Sequence, residues 1–153
     1  MRRIITEVVD GRSRVLIDES VPQEPMAMLW DAAPNRPLGF APAAETYGAP
    51  SLPPGHMSWR IAALPPDAEM RHYLAAGVPG VDADGFHTTA TIDYVVILDG
   101  PVTLALDEGE IDLQPGDLVV QRATRHAWYN RTDKPIRLLA LAVGIDATAV
   151  AAG

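Results

Sequence analysis

From His87 to Gly144 the chain repeats one short unit, an apolar run followed by turn chemistry. The runs "TIDYVVIL", "VTLALD", "EIDL", "DLVVQ", "HAWYN" and "IRLLALAV" are divided by "DGP", "EG", "QPG", "RATR" and "RTDKP". The Gly, Pro, Asn and Asp of these dividers supply the backbone angles and the side-chain-to-backbone hydrogen bonds that reverse a chain. Parallel strands need crossover connections of about a dozen residues or more, and no such length is left between these runs. The sheet is therefore expected to be antiparallel, and closure into a barrel or sandwich is the usual way to remove its edges. The class expected is all-β.

The N-terminal half has a different texture. "RIITEVVDGRSRVLID" (Arg3 to Asp18) reads as two β-rich runs around Asp10-Gly11, a dipeptide suited to a hairpin turn. Eight of the 14 prolines then fall between Asp31 and Pro66, at 34, 37, 42, 50, 53, 54, 65 and 66. Proline gives no N–H to a strand ladder, so irregular backbone is expected there, with one strand at "SWRIAAL" (Ser58 to Leu64). "PPDAEMRHYLAAG" predicts one short helix, with Asp67 as N-cap and Gly77 as its stop. "DADG" (82–85) opens like a calcium loop but lacks the closing glutamate, and is read as a turn. One domain is expected over 1–153, with an arm and Pro-rich segment at 1–66, a barrel core at 85–144 and a tail at 145–153.

With 153 residues the chain is long enough for a core without disulfides, and it contains no cysteine. Thiolate nucleophiles and cysteine zinc sites are thereby excluded. A net charge of −8 opposes binding to nucleic acid or anionic lipid. No run approaches the ~18 to 20 apolar residues of a membrane helix, and the N-terminal apolar runs are broken by charge, unlike a secretory signal. A cytoplasmic location is expected. No serine lies in a GxSxG elbow and no glycine-rich phosphate loop is present, which disfavours acyl and phosphoryl transfer.

Four histidines exist, at 56, 72, 87 and 126. His56 and His72 read as solvent-facing or loop-packing side chains. His87 opens "HTTATID" and His126 opens "HAWYN", and strand beginnings at a barrel mouth are where sites gather. His126 is expected to share its face with Trp128 and Asn130, since alternate residues of a strand point the same way.

The stretch "GFHTTATIDYVVILDGPVTLALDEGEIDLQPGDLVVQRATRHAWYN" resembles the two motifs of the cupin superfamily joined by a short two-strand region. In the first motif a His-x-His pair is followed by Glu and then Gly; here these fall on His87, Thr89, Asp93 and Gly100. In the second, the Pro-Gly-Asp opening falls on Pro115 to Asp117 and the closing His and Asn on His126 and Asn130, while Gln121 and Ala123 replace the usual Pro and Gly. The resemblance covers residues 85 to 144. The segments "RRIITEVVDGRSRVLID" and "MSWRIAALPP" are similar to a subgroup of small bacterial and fungal cupins that carry "TIDY" and "VVQR.T.HAW". It implies a single-domain β-barrel of jelly-roll (double-stranded β-helix) type with an N-terminal β arm. It also implies a dimer and, often, a divalent metal held by three His and one Glu. Cupin chemistry ranges over oxygenation, decarboxylation, isomerisation and elimination, so fold carries over better than function.

Thr89 is a poor ligand, so the resemblance leaves His87, His126 and Asp93, a two-histidine, one-carboxylate set suited to Fe, Mn, Zn or Ni. No organic cofactor is expected. Six residues of straight strand span about 20 Å, so sharing one ion requires a bend between Thr88 and Ile92. Without a metal, His126 would serve as general acid or base, and Tyr94 or Gln121 would orient the substrate, whichever strand face looks inward. The function read from these residues is a small-molecule cupin, a lyase or isomerase acting on a small organic acid or ketide-like metabolite in a barrel cavity near His126. Its reaction would be elimination, decarboxylation or isomerisation, ahead of dioxygenation. The alternatives are a non-catalytic metabolite-binding module with a degenerate metal site, and a homodimer in which the Arg3 to Asp18 segment pairs with a neighbour's sheet edge. In a purely structural role, Asp93 would instead accept hydrogen bonds from Arg60, Arg122 or Arg125, and His126 would pack beside Trp128.

Overall fold

A computed structural model describes residues 2–10, 12–20, 26–32, 34, 52–146 and 148. Its strands are β1 (Arg2–Val9), β2 (Arg12–Ser20), β3 (Met26–Ala32), β4 (Met57–Leu64), β5 (Thr91–Ile97), β6 (Val102–Leu106), β7 (Gly109–Leu113), β8 (Leu118–Arg122), β9 (His126–Tyr129) and β10 (Ile136–Gly144). The helix is α1 (Asp67–Ala75). Every strand pairing is antiparallel. One sheet has the order β3-β4-β10-β5-β8, a second the order β7-β6-β9, and β1-β2 form a separate hairpin. The fold is all-β, two antiparallel sheets and a hairpin with one short helix.

The six runs expected from 87–144 are the six strands β5 to β10. Turn chemistry explains their ends: Gly100 takes φ +71 against Ile136, whose Cγ2 would stand 2.2 Å from any Cβ placed there. Between the two sheets lies a core of Val95 and Ile97 (β5), Val102 (β6), and Ile136 and Leu138 (β10), against which Leu113, Val119 and Trp128 pack. Burial of such aliphatic side chains is the main stabilising term, at about 1.5–3 kcal/mol for each one fully buried.

Three details depart from the sequence expectation. β3 was not anticipated: "MAMLWDA" has no β-branched residue, and its strand character comes from pairing with β4. His87 does not open β5; it forms an isolated bridge, the chain bends at Ala90, and the strand begins at Thr91. Asp67 is the first helical residue and Pro66 holds the N-cap position, with no side-chain cap. The Asp67 carboxylate instead accepts the Asn130 N–H (2.7 Å), while the Asp67 N–H donates to the Asn130 carbonyl (2.8 Å). Gly11, the prolines at 37, 42 and 50, and most of the tail lie outside the described residues.

Candidate functional site: a histidine pair at a cavity wall

Two tight loops bring His87 and His126 together. After β8 the chain turns through Ala123, which takes φ +52 and donates its N–H to the Thr91 carbonyl (3.0 Å). Before His87, Asp82 Oδ1 accepts the N–H groups of Asp84 (3.0 Å) and Phe86 (2.8 Å), which is the turn expected at "DADG". Arg125 joins the loops: its guanidinium pairs with both Asp82 and Asp107 and lies 4.2 Å above the Phe86 ring. With Phe86 and Arg125 so held, the next residues of each loop exchange two backbone hydrogen bonds, each 3.0 Å, between His87 and His126. Their ring centroids are 4.3 Å apart, tilted by 56°.

The two imidazoles have the same tautomer for the same reason. His87 Nδ1 lies 3.1 Å from the Gly85 carbonyl and His126 Nδ1 lies 2.9 Å from the Thr124 carbonyl. A carbonyl oxygen only accepts, so each Nδ1 carries the hydrogen and donates it. In the neutral ring each Nε2 then keeps its lone pair. His126 is 3% exposed. That burial pulls its pKa down to about 4, with the charge of His87 acting in the same direction and the Thr124 carbonyl opposing both. His126 is thus neutral at physiological pH and a weak base. Trp128 meets it edge-on at 6.4 Å, on the face expected for alternate residues.

Beyond the bend at Ala90, the polar side chains of "TTATID" continue as a hydroxyl chain. Thr89 Oγ1 and Thr91 Oγ1 are 2.7 Å apart, and Thr91 also bonds the Asp93 carboxyl. An ionised carboxylate only accepts, so Thr91 donates to Asp93 and Thr89 donates to Thr91. Desolvation raises the Asp93 pKa, against the opposing effects of Thr91, Arg60 and His87. Asp93 stands directly across from Gln121 in the β5–β8 register. Asp93 Oδ1 and the Nε2 of the buried Gln121 each lack a hydrogen-bond partner.

The expected residues therefore divide. His87 and His126 are brought together, while Asp93 and Gln121 form a separate inner pair on the five-stranded sheet. Tyr94 points to the opposite face of β5, 47% exposed, and does not join either group. A metal held by His87, His126 and Asp93 was tested on the donor set. The imidazole pair has the arrangement of ligating histidines, Nδ1–H on a carbonyl and Nε2 open. The carboxylate does not complete it: among the described residues no three His, Asp or Glu side chains come together as a cation site. The residues present do not make up the expected triad.

A cavity of about 760 Å³ is lined by His87 and not, as expected, by His126, whose ring is buried behind it. Leu64, Met70, Leu74, Val78, Val81 and Trp128 give it an apolar lining, and Arg71, Arg131, Asp67 and Asp84 add charge. Tyr129, also in the lining, donates its O–H to the Asp84 carbonyl (3.2 Å). Helix α1 forms one wall without burying a residue of its own. His56 and His72 do not line the cavity. The contribution of α1 was not anticipated; Met70 and Leu74, four residues apart on an otherwise polar helix, are its only signal in the sequence.

Comparison with known proteins agrees with this architecture. Residues 77–142 match the family described as Cupin_2, the cupin domain. A phomopsin biosynthesis cluster protein C' of Diaporthe leptostromiformis is 53% identical over 47 residues, 30% of this chain and 25% of that protein. A cupin-domain-containing oxidoreductase, fogC, of Aspergillus ruber is 44% identical over 55 residues, 35% of this chain and 27% of that protein. The chain thus spans only about a quarter of the length of these curated relatives. The cupin domain of Schizosaccharomyces pombe Cnp3 superposes with a TM-score of 0.50 at 12% identity, covering 94% of this chain and 87% of that one. No helix among the described residues is long and apolar enough to cross a membrane. The barrel thus carries, over residues 77–142, a match to the Cupin_2 cupin domain, and its fold is that of a cupin β-barrel.

Proposed function

We propose that this cupin domain takes a small organic acid or ketide-like metabolite into the cavity beside His87. There it promotes elimination, decarboxylation or isomerisation, with the histidine pair handling the proton. One observation carries the reading: two imidazoles 4.3 Å apart, both Nδ1–H groups engaged by carbonyls, both Nε2 atoms left to accept. His126, a weak base at neutral pH, adds no positive charge beside His87, and the His87 Nε2 lone pair is the one placed at the wall to meet a substrate proton. Arg71 in the lining offers a cation to a substrate carboxylate, and the apolar side chains receive a carbon skeleton. The names of the relatives, a biosynthesis cluster protein and an oxidoreductase, support a small-metabolite substrate. They also favour a second reading, a metal-dependent oxidation, to which the open Nε2 atoms of the pair lend support.

The test is hydrogen exchange in D2O. The protein is incubated with a panel of 2-oxo acids, 3-oxo acids and short polyketide lactones and followed by proton NMR. At least one compound is expected to exchange or turn over at a carbon next to a carbonyl, with the rate falling at least ~100-fold in His87→Asn. Saturable binding without exchange would leave a metabolite-binding module. About one divalent metal per purified chain, abolished by His87→Ala and His126→Ala, would support the second reading. No binding by any compound and no metal would remove the proposal.

A further inference from the structure

Polarity is layered around the His87 cavity. Leu64, Met70, Leu74, Val81 and Trp128 stand half-buried in its wall beside His87, whereas Arg71, Asp84 and Arg131 are exposed. The cavity is thus apolar where it is driest and charged where it meets water. Helix α1 builds much of that gradient. Asp67, Met70, Arg71 and Leu74 recur at the i, i+3, i+4 and i+7 spacing of one helix face, and all four are in the lining. The helix buries no residue, so Met70 and Leu74 face the cavity rather than a packed core.

The charges of the lining are not equally committed. Both carboxylate oxygens of Glu110 hold the Arg131 guanidinium, at 2.9 and 2.8 Å. Arg71 pairs with no carboxylate among the described residues. An entering anion therefore finds one uncommitted cation. Asp67 and Asp84, in the same lining, repel a second negative charge. The volume of about 760 Å³ far exceeds what the shortest acids fill. It lies within the range of roughly 300–1,000 Å³ that encloses drug-sized ligands.

We infer that the cavity selects a monocarboxylate with an extended apolar chain, its carboxylate at Arg71 and its carbon chain inside against Met70, Leu74 and Trp128. This rests on the reading of the cavity as the substrate site and narrows it. The apolar end enters first, because the wall offers it burial while the exposed Arg71 keeps the carboxylate near water. Each CH2 moved from water onto such a wall tightens binding up to about fourfold. Short polar acids gain nothing from the wall, and dicarboxylates and phosphorylated metabolites bring a charge that Asp67 and Asp84 oppose.

The probe is a series of straight-chain monocarboxylates of four to twelve carbons, kept below their micellar concentrations and titrated calorimetrically into the full chain. One equivalent should bind, with Kd falling about two- to fourfold per added CH2 until the chain fills the cavity. Alcohols and α,ω-dicarboxylates of equal length should bind at least ~10-fold more weakly. Arg71→Gln should erase the preference for acid over alcohol and keep the dependence on length. Met70→Gln with Leu74→Gln should flatten that dependence, and an unchanged circular dichroism spectrum separates a lost site from a lost fold. Affinity independent of length, tighter binding of dicarboxylates or inorganic phosphate, an acid preference that survives Arg71→Gln, or a length dependence that survives the double substitution would overturn the inference. Binding is read without turnover. Length-dependent binding with no exchange in D2O would therefore remove the catalytic reading and leave this one, while exchange of short acids without length dependence would do the reverse.

Discussion

The rings of His87 and His126 stand 4.3 Å apart because the same two residues exchange both backbone hydrogen bonds of an isolated bridge. The distance belongs to the backbone, not to side-chain rotamers. One ring meets the cavity and the other is buried behind it, so the pair has a wet and a dry member.

The dry member sets a pH dependence. His126 has a folded pKa of about 4 against an ordinary 6.5. Between those values the unfolded chain binds the proton and the folded chain does not, so stability is full above pH 6.5 and falls as pH drops toward 4. At about 1.36 kcal/mol per pKa unit, the loss is about 3 kcal/mol across that window. Asp93, with a raised pKa, acts in the opposite sense, so the measurement is a difference. Urea unfolding at pH 7.5, 6 and 4.5 should show wild type losing more stability than His126→Asn; parallel losses would contradict the buried neutral ring.

Asn130 is wholly buried and fully used. Its Nδ2 donates to the carbonyls of Leu64 (2.9 Å) and Lys134 (2.7 Å), and its Oδ1 accepts from the N–H and hydroxyl of Thr132. Asn130→Ala strands these partners and should cost about 2–4 kcal/mol, read as a lower urea midpoint at unchanged slope.

Gly144 leaves no room for a side chain. A Cβ there would meet the carbonyl oxygens of Pro53 at 2.1 Å and Leu52 at 2.6 Å, which are backbone and cannot rotate away. Gly144→Ala should destabilise by about 3 kcal/mol or more, and a thermal midpoint within a degree of wild type would refute the close approach.

Ala123 holds a left-handed conformation that costs an L-residue about 1–2 kcal/mol. Ala123→Gly removes that cost but adds unfolded-state entropy, so a net gain of about 0.5–1 kcal/mol is expected, visible as a higher thermal midpoint.

The barrel was readable because its strands are short and its turns chemically explicit: "DGP", "QPG" and "RTDKP" announce the reversals that separate β5 to β10. The cupin resemblance set His87 and His126 side by side, and their rings stand 4.3 Å apart. It could not say that Asp93 would stay with Gln121, since that depends on where the chain bends. Ala90 carries no signal for a bend; the bridge to His126 creates it. Which face of β5 looks inward was likewise undetermined, because "IDYVV" is apolar on both sides of the pleat. Only pairing with β10 and β8 assigns Asp93 inside and Tyr94 outside.

Helix α1 walls the cavity yet buries none of its residues, and its start is tied to Asn130 through Asp67. Substitutions beyond Asp67, at Met70, Arg71 or Leu74, are therefore expected to reshape that wall while leaving the free energy of the barrel nearly untouched. Drift can recontour that wall without first eroding the scaffold, so the cavity and the barrel are free to change at different rates.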